Sequence, residues 1–168
     1  NSQPPNTEAL WQEASKLLQR SEGVLVLDDS TLDKPYARNT ELVSFHWSGK
    51  HHRVVRGINL QTLLWTDGIQ LIPCDFRVYE GTADGATKNE AFREMLQIAK
   101  ERNLSPNYVL FDSWYGSLDN LKFLRSLGWS WLTMLKKNRL VNPDETGNRA
   151  IETVEIPPSG KRVHLKGY

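Results

Sequence analysis

A single cysteine, Cys74, stands in the whole chain of 168 residues. That scarcity excludes an intrachain disulfide and a thiolate metal cluster. Set in IQLIPCDF, Cys74 reads as a core thiol. No apolar run reaches 18 residues, so no transmembrane helix is predicted, and the N-terminus lacks a signal-peptide pattern. A soluble, cytoplasmic protein is the expectation. Charge of one sign is missing too: 21 Lys and Arg face 20 Asp and Glu, for a formal charge of +1. Such a balance neither demands nor forbids a nucleic-acid partner. Its distribution is uneven, however. From Lys136 onward 7 basic residues face 4 acidic ones, so the C-terminal part is mildly basic. There is no internal repeat and no low-complexity tract. With 39% hydrophobic residues the composition is that of a folded domain with a sizeable core. The chain begins at Asn1 and ends at HLKGY, which suggests a piece of a longer protein.

What is present organises itself around two short apolar runs. The first six residues are polar and read as loose. A helix is predicted from Thr7, as cap, to about Arg20, with Leu10, Trp11, Ala14, Leu17 and Leu18 as its apolar stripe. Gly23 ends it. Val24 to Leu27 is a continuous apolar run of the kind found in a strand covered on both faces, and it runs into Asp28 and Asp29. After a polar loop, Leu42 to Trp47 reads as a short extended piece. Val54 to Trp65 and Ile69 to Tyr79 read as an antiparallel hairpin turned at Thr66-Asp67-Gly68, with Pro73 demanding an edge or a bulge. GTADGAT is a loop. Thr87 to Arg102 is the clearest helix, with Thr87 and Glu90 as a capping box. Tyr108 to Phe111 is the second apolar run, and it too ends in an aspartate, Asp112. A helix over Leu118 to Leu127, closed by Gly128, precedes a strand over Trp129 to Leu135. The segment from Lys136 reads as turn-rich surface, followed by short strands at Ile151 to Ile156 and Val163 to Leu165. The order predicts an α/β fold: a mixed five-stranded sheet flanked by helices.

Ligands in open sheets gather at the carboxyl ends of parallel strands. Adjacent strands at Val24 to Leu27 and Tyr108 to Phe111 would bring Asp29 and Asp112 together at such an edge. Two close carboxylates repel unless a cation lies between them. Hard divalent ions such as Mg²⁺ or Mn²⁺ take carboxylate, water and phosphate oxygens, and they support phosphodiester cleavage. For either aspartate alone, capping or turn formation is an equal reading.

Longer stretches carry a resemblance. VLVLDDSTLDKP, RVVRGINLQTLLWTDGIQLIPCDFRVYE, TKNEAFREMLQIAKERNL, YVLFDSWYGSLDNLKFLRSLGWSWLTMLKKNRLVNPD and IPPSGKRVHLKGY together resemble the catalytic domain of DDE-type transposases, in the bacterial insertion-sequence group related to Tn5. The resemblance implies an RNase H-like fold and a metal-dependent DNA reaction: hydrolysis at transposon ends, then strand transfer. It also implies a double-stranded DNA partner, a homo-oligomer on that DNA, and a bacterial, nucleoid-associated setting. Asp29 matches the family's first catalytic and metal-binding aspartate and Asp112 the second, while Asp28 holds a supporting position. The family's third carboxylate is a glutamate on a helix beyond a β-rich insertion. Glu145, Glu152 and Glu155 do not fit that place, so the sequence implies a core cut within the insertion and inactive by itself. The implied division is an N-terminal helical segment over 1–22, a partial catalytic core over 23–140 and the start of the insertion over 141–168.

Further candidates are weaker. Lys34, Arg53, Arg56, Lys136, Lys137 and Arg139 suit phosphate contacts, with surface solvation as the plain alternative. Trp114 and Tyr115 could stack on a base or sugar, or could pack. His46, His51 and His52 read as exposed loop histidines. Two other functions stay open: a non-catalytic nucleic-acid-binding or regulatory fragment on the same fold, and a nuclease or phosphatase that uses aspartates only.

Overall fold

The computed structural model describes residues 6–18, 20–37, 42–49, 51–79 and 87–168. The loops expected at residues 1–5 and 81–86 lie outside them. Helix α1 spans Thr7–Ala14. Its cap is Asn6 and not Thr7: the Asn6 side chain accepts from the backbone N–H of Glu8 (3.0 Å) and Ala9 (3.2 Å). Trp11 and Ala14 are buried, but Leu17 stays exposed. With its apolar stripe spent, the helix tightens into a 3₁₀ turn at Ser15–Leu17 instead of reaching Arg20.

Strand β1 spans Val24–Asp33, well past the predicted end at Leu27. The reason lies in its two neighbours. On one side β3 (Arg53–Thr66) pairs antiparallel along all of it, from Val24↔Thr66 to Asp33↔Gly57. On the other side β5 (Tyr108–Phe111) pairs in parallel only from Val24↔Tyr108 to Leu27↔Phe111. The apolar run therefore marks the doubly flanked part of the strand, and the polar run DDSTLD continues with one neighbour. Asp28 and Asp29 lie inside β1, at the point where the β5 pairing stops.

β2 (Ser44–Ser48) and β4 (Leu71–Tyr79) both pair with β3. Gly57 faces both Asp33 and Ser44, and Asn59 faces both Thr31 and Tyr79, so β2 and β4 share the edge of β3 away from β1. The β3–β4 turn has Asp67 Oδ1 accepting from Ile69 and Gln70 (2.9 and 2.8 Å) and Gly68 at φ +94°. The register steps from Leu63↔Asp75 to Leu64↔Pro73, which leaves Cys74 as the extra residue of a bulge beside the proline. Burial pushes the Cys74 thiol up to about 12, as befits a core residue.

α2 spans Lys88–Glu101 behind the expected capping box. α3 spans Leu118–Ser126, capped by Ser117, and β6 is only Trp131–Leu132, parallel to β5. Among the described residues the main sheet has six strands where five were expected, because β2 pairs fully. Its order is β2-β3-β1-β5-β6, with β4 also on β3. The architecture is an RNase H-like mixed sheet flanked by helices. On one face the in-register residues Leu25, Leu27, Leu63, Trp65, Val109 and Phe111 are buried with Phe92, Met95 and Leu96 of α2.

A second sheet, ordered β8-β7-β9, is formed by β7 (Leu140–Asn142), β8 (Arg149–Ala150) and β9 (His164–Leu165). β7 falls in the segment expected to be turn-rich, and Ile151–Thr153 is a 3₁₀ turn where a strand was expected. Pairs of two or three residues are too short to leave a period in the sequence. Val141, Val154 and Leu165 join the one buried cluster.

Candidate metal centre

Side chains on a strand alternate between faces. Asp29 therefore shares the α2 face with Leu25 and Leu27, and Asp28 points to the other face with Val26. Asp112 follows the last residue of β5, one step past the Leu27↔Phe111 pair, and so lies alongside Asp28 in register. Asp112 also starts a 3₁₀ turn at Ser113–Tyr115, where its Oδ1 accepts from the Trp114 N–H. A cleft of about 770 Å³ brings Asp28, Asp29 and Asp112 together with His46, Tyr79, Lys88 and Trp114. A shallower hollow of about 420 Å³ on the other face is lined by Asp28 and Asp112 with Val26, Leu110, Leu132 and Met134.

The two adjacent aspartates are held in opposite electrostatic states. Burial pushes the Asp29 carboxyl up, but donors outweigh it. Lys88 Nζ donates to Asp29 Oδ2 at 2.6 Å and Asn59 Nδ2 at 3.0 Å, and the Tyr115 hydroxyl adds to them. The net result is a pKa below the ordinary 3.8. Asp28 moves the other way. Burial raises it first. The Asp29 N–H donating to its Oδ1 (2.8 Å) opposes that, and the charges of Asp29 and Asp112 raise it further.

Tyr115 is a correction to the expected DNA contact. It is fully buried, stacked on Phe92 with ring centroids 5.3 Å apart, and its oxygen accepts from Gln61 Nε2 at 2.8 Å. Its position supports the Asp29 carboxylate from within. Trp114 stays 47% exposed on the cleft wall, edge-on to Tyr115. His46 is a second correction. It is not an exposed loop residue but is buried within β2, paired with Ser44 Oγ at 2.7 Å, and it lines the cleft. Burial and the Lys88 charge lower its pKa. His51 contacts Asp33 Oδ2 (2.6 Å), and His52 sits in the turn before β3 at φ +48°.

The expected basic residues do not line the cleft. Arg53 and Arg56 line a separate hollow with Asp33 and His51 at the far end of β3. The Lys34 N–H donates to the Arg56 carbonyl at 2.9 Å, and the Lys34 side chain is exposed. Lys136 and Arg139 line another hollow with Lys166, and Lys137 is exposed. The Arg139 guanidinium donates to the Gly116 carbonyl, tying the small sheet to the turn that follows Asp112.

Lys88, Asn59 and Gln61 were not singled out from the sequence. A signal existed for each. Asn59 and Gln61 continue, at period two, the buried face of β3 that carries Leu63 and Trp65, so they are polar groups on a core face. Lys88 is a cation in the first turn of a helix, where the dipole disfavours it unless it has an acidic partner.

Among the described residues, no group of three or more His, Cys, Asp or Glu side chains is gathered tightly enough to hold a metal by itself. The donors in the cleft nevertheless suit a hard divalent cation. They are carboxylate oxygens from neighbouring strands, and three carboxylates face one ammonium among the lining residues. Water and substrate phosphate ordinarily complete such a set.

The family model described as DDE superfamily endonuclease matches residues 2–166. No curated protein matches the chain. Among solved structures, the piggyBac transposase in a synaptic complex with hairpin DNA is similar with a TM-score of 0.47 and 11% identity, covering 69% of this chain. The Drosophila P element transposase in a strand transfer complex gives a TM-score of 0.31 and 9% identity over 78% of this chain. The chain spans 23% and 32% of those two proteins. No helix among the described residues is long and apolar enough to cross a membrane.

Proposed function

Because the chain belongs to the DDE superfamily of endonucleases, we propose that the cleft at the carboxyl ends of β1 and β5 is its centre for phosphodiester cleavage. The observation that carries this reading is the convergence of Asp28, Asp29 and Asp112, from two adjacent parallel strands, on one cleft with one ammonium. Asp29 and Asp112, expected from the resemblance, would hold the divalent metal, Mg²⁺ or Mn²⁺, and Asp28, which lies level with Asp112 and lines the same hollow, would be a direct ligand beside them rather than a support. When bound, such an ion polarises the phosphate and lowers the pKa of attacking water.

The chain's own residues do the positioning. Asn59 and Tyr115 fix the Asp29 carboxylate, and Gln61 fixes Tyr115 in turn. The Trp114 N–H orients Asp112. The exposed Trp114 ring offers a stacking surface for a base or sugar beside the carboxylates. Lys34, Arg53, Arg56, Lys136 and Lys137 would track the DNA backbone away from the reacting phosphate, while Arg139 is committed to Gly116 and acts as a brace.

The finer reading is a bacterial insertion-sequence transposase related to Tn5, acting on transposon ends as an oligomer. Its divisions would be a helical segment over 1–22, a core over 23–140 and the start of an insertion over 141–168. The third family carboxylate would then come from a helix other than α1, α2 and α3, none of which contributes an acidic side chain to the cleft. Cleavage of labelled DNA in Mg²⁺ or Mn²⁺ by the protein tests the reading. Loss of cleavage in both Asp29→Asn and Asp112→Asn supports it, and full activity in either variant refutes it. A non-catalytic DNA-binding role is favoured by the Lys88 contact that already neutralises Asp29. Steeply salt-dependent DNA binding without cleavage would establish that role instead.

A further inference from the structure

Resting on the reading of the cleft as a metal centre, we propose that Lys88 is a built-in counter-ion that occupies the cation position against Asp29 until a divalent ion displaces it. The Lys88 ammonium lies 2.6 Å from Asp29 Oδ2, and the two side chains are 19% and 27% exposed. A contact that short between half-buried charges is an ion pair in a medium of reduced dielectric. It is made with the carboxylate that the metal would need. Lysine and metal therefore compete for the same oxygen and the same negative potential.

The placement of Lys88 favours exchange over permanent bridging. Its backbone is fixed: Thr87 caps the helix in front of it, and the Lys88 carbonyl accepts from Gln61 Nε2 at 3.1 Å. Its ammonium is carried on a four-carbon stem with rotatable bonds. The ammonium already lies 5.4 Å from the Tyr79 ring centroid and 5.6 Å from that of Trp114. A cation displaced from Asp29 keeps these two π faces as partners and need not return fully to water. The first turn of a helix is a poor place for a cation without an acid in reach, so the Asp29 contact accounts for a residue that helix propensity does not. An ammonium, unlike a guanidinium, makes a point contact and leaves a carboxylate readily.

The exchange separates two quantities that an ordinary structural salt bridge would move together. Removing the Lys88 charge should lower stability without metal and raise affinity for metal. The experiment compares Mn²⁺ binding and thermal unfolding in the unaltered protein, Lys88→Met and Asp29→Asn, without DNA. Lys88→Met is expected to bind Mn²⁺ on the order of fivefold more tightly, the factor matching one partly exposed ion pair. Its melting temperature should be lower in EDTA, with the deficit closing as Mn²⁺ saturates. Unchanged or weaker Mn²⁺ binding by Lys88→Met, while Asp29→Asn loses it, overturns the exchange and leaves the metal centre standing. Mn²⁺ binding by none of the three overturns both. Should Lys88→Met fail to fold, ¹⁵N-lysine ammonium spectra of the unaltered protein decide the matter. The Lys88 signal should shift and lose its carboxylate partner on Mg²⁺ saturation, and a signal that stays put overturns the exchange.

Discussion

The two faces of β1 carry the same residue type at successive positions and treat it in opposite ways. On the α2 face, Asp29 meets Lys88, Asn59 and Tyr115, and its charge is held in place. On the other face, Asp28 looks over Val26, Leu110 and Leu132, and burial, with the nearby carboxylates Asp29 and Asp112 adding to it, raises its pKa. That second face is thinly covered among the described residues: Leu132 is 59% and Met134 80% exposed. The difference shows how a strand gives one dipeptide two environments. Alternation sends one carboxylate to a donor-rich wall, where it can serve as a fixed ligand, and leaves the next as uncompensated negative charge beside it.

The strongest way to break the contrast is to remove the packing beneath the Asp29 face. Phe92→Ala empties a fully buried ring that contacts Phe111 and Tyr115, and should cost about 3–5 kcal/mol in chemical denaturation. Tyr115→Phe is more selective. It strands a buried Gln61 N–H and removes a donor from Asp29, so a loss of about 1–3 kcal/mol is expected, with weaker Mn²⁺ binding. Thr87→Ala removes the capping box that sets Lys88 in place and should cost about 1 kcal/mol.

Asp28→Asn and Asp29→Asn form the most delicate pair, read as stability against pH. The folded Asp29 carboxyl lies below 3.8, so its ionised form stabilises the fold above that pH and the benefit fades as pH falls through the folded value. Asp29→Asn should therefore lower the melting temperature at pH 7 and converge with the unaltered protein in acid. The folded Asp28 carboxyl lies above 3.8, so its charge opposes folding at neutral pH, and the penalty lifts as pH falls through the folded value toward 3.8. Asp28→Asn should raise the melting temperature slightly at pH 7 and lose that gain in acid. Scanning calorimetry across pH 3–7 checks the signs, and the same sign for both variants would erase the contrast.

Much of this arrangement was legible in the sequence where a local rule had a single physical meaning. The Thr87/Glu90 box, the Thr66-Asp67-Gly68 turn and the Pro73 bulge all form as their residues dictate. YVLF is a strand over the predicted residues, parallel to VLVL, and that adjacency places Asp28, Asp29 and Asp112 in one cleft. The length of β1 was hidden because hydrophobicity reports how many neighbours cover a strand, not where its pairing ends. His46 is buried where an exposed loop was expected, and of the two readings of Tyr115 packing holds and the DNA contact does not, because polar tips on buried bodies look like surface residues until their partners, Ser44 and Gln61, are known. Lys88 is 59 residues from Asp29, and only the fold brings them together.

The central claim is that Asp29 and Asp112 hold one divalent cation between adjacent strand ends. A crystal of the protein soaked in Mn²⁺, with data collected at the manganese absorption edge, tests it most directly. The account predicts an anomalous peak within ligand distance of both carboxylates, about 2.0–2.3 Å from their oxygens, with the Lys88 ammonium moved off Asp29. A cleft without a peak at saturating Mn²⁺, with Lys88 still on Asp29, would contradict it.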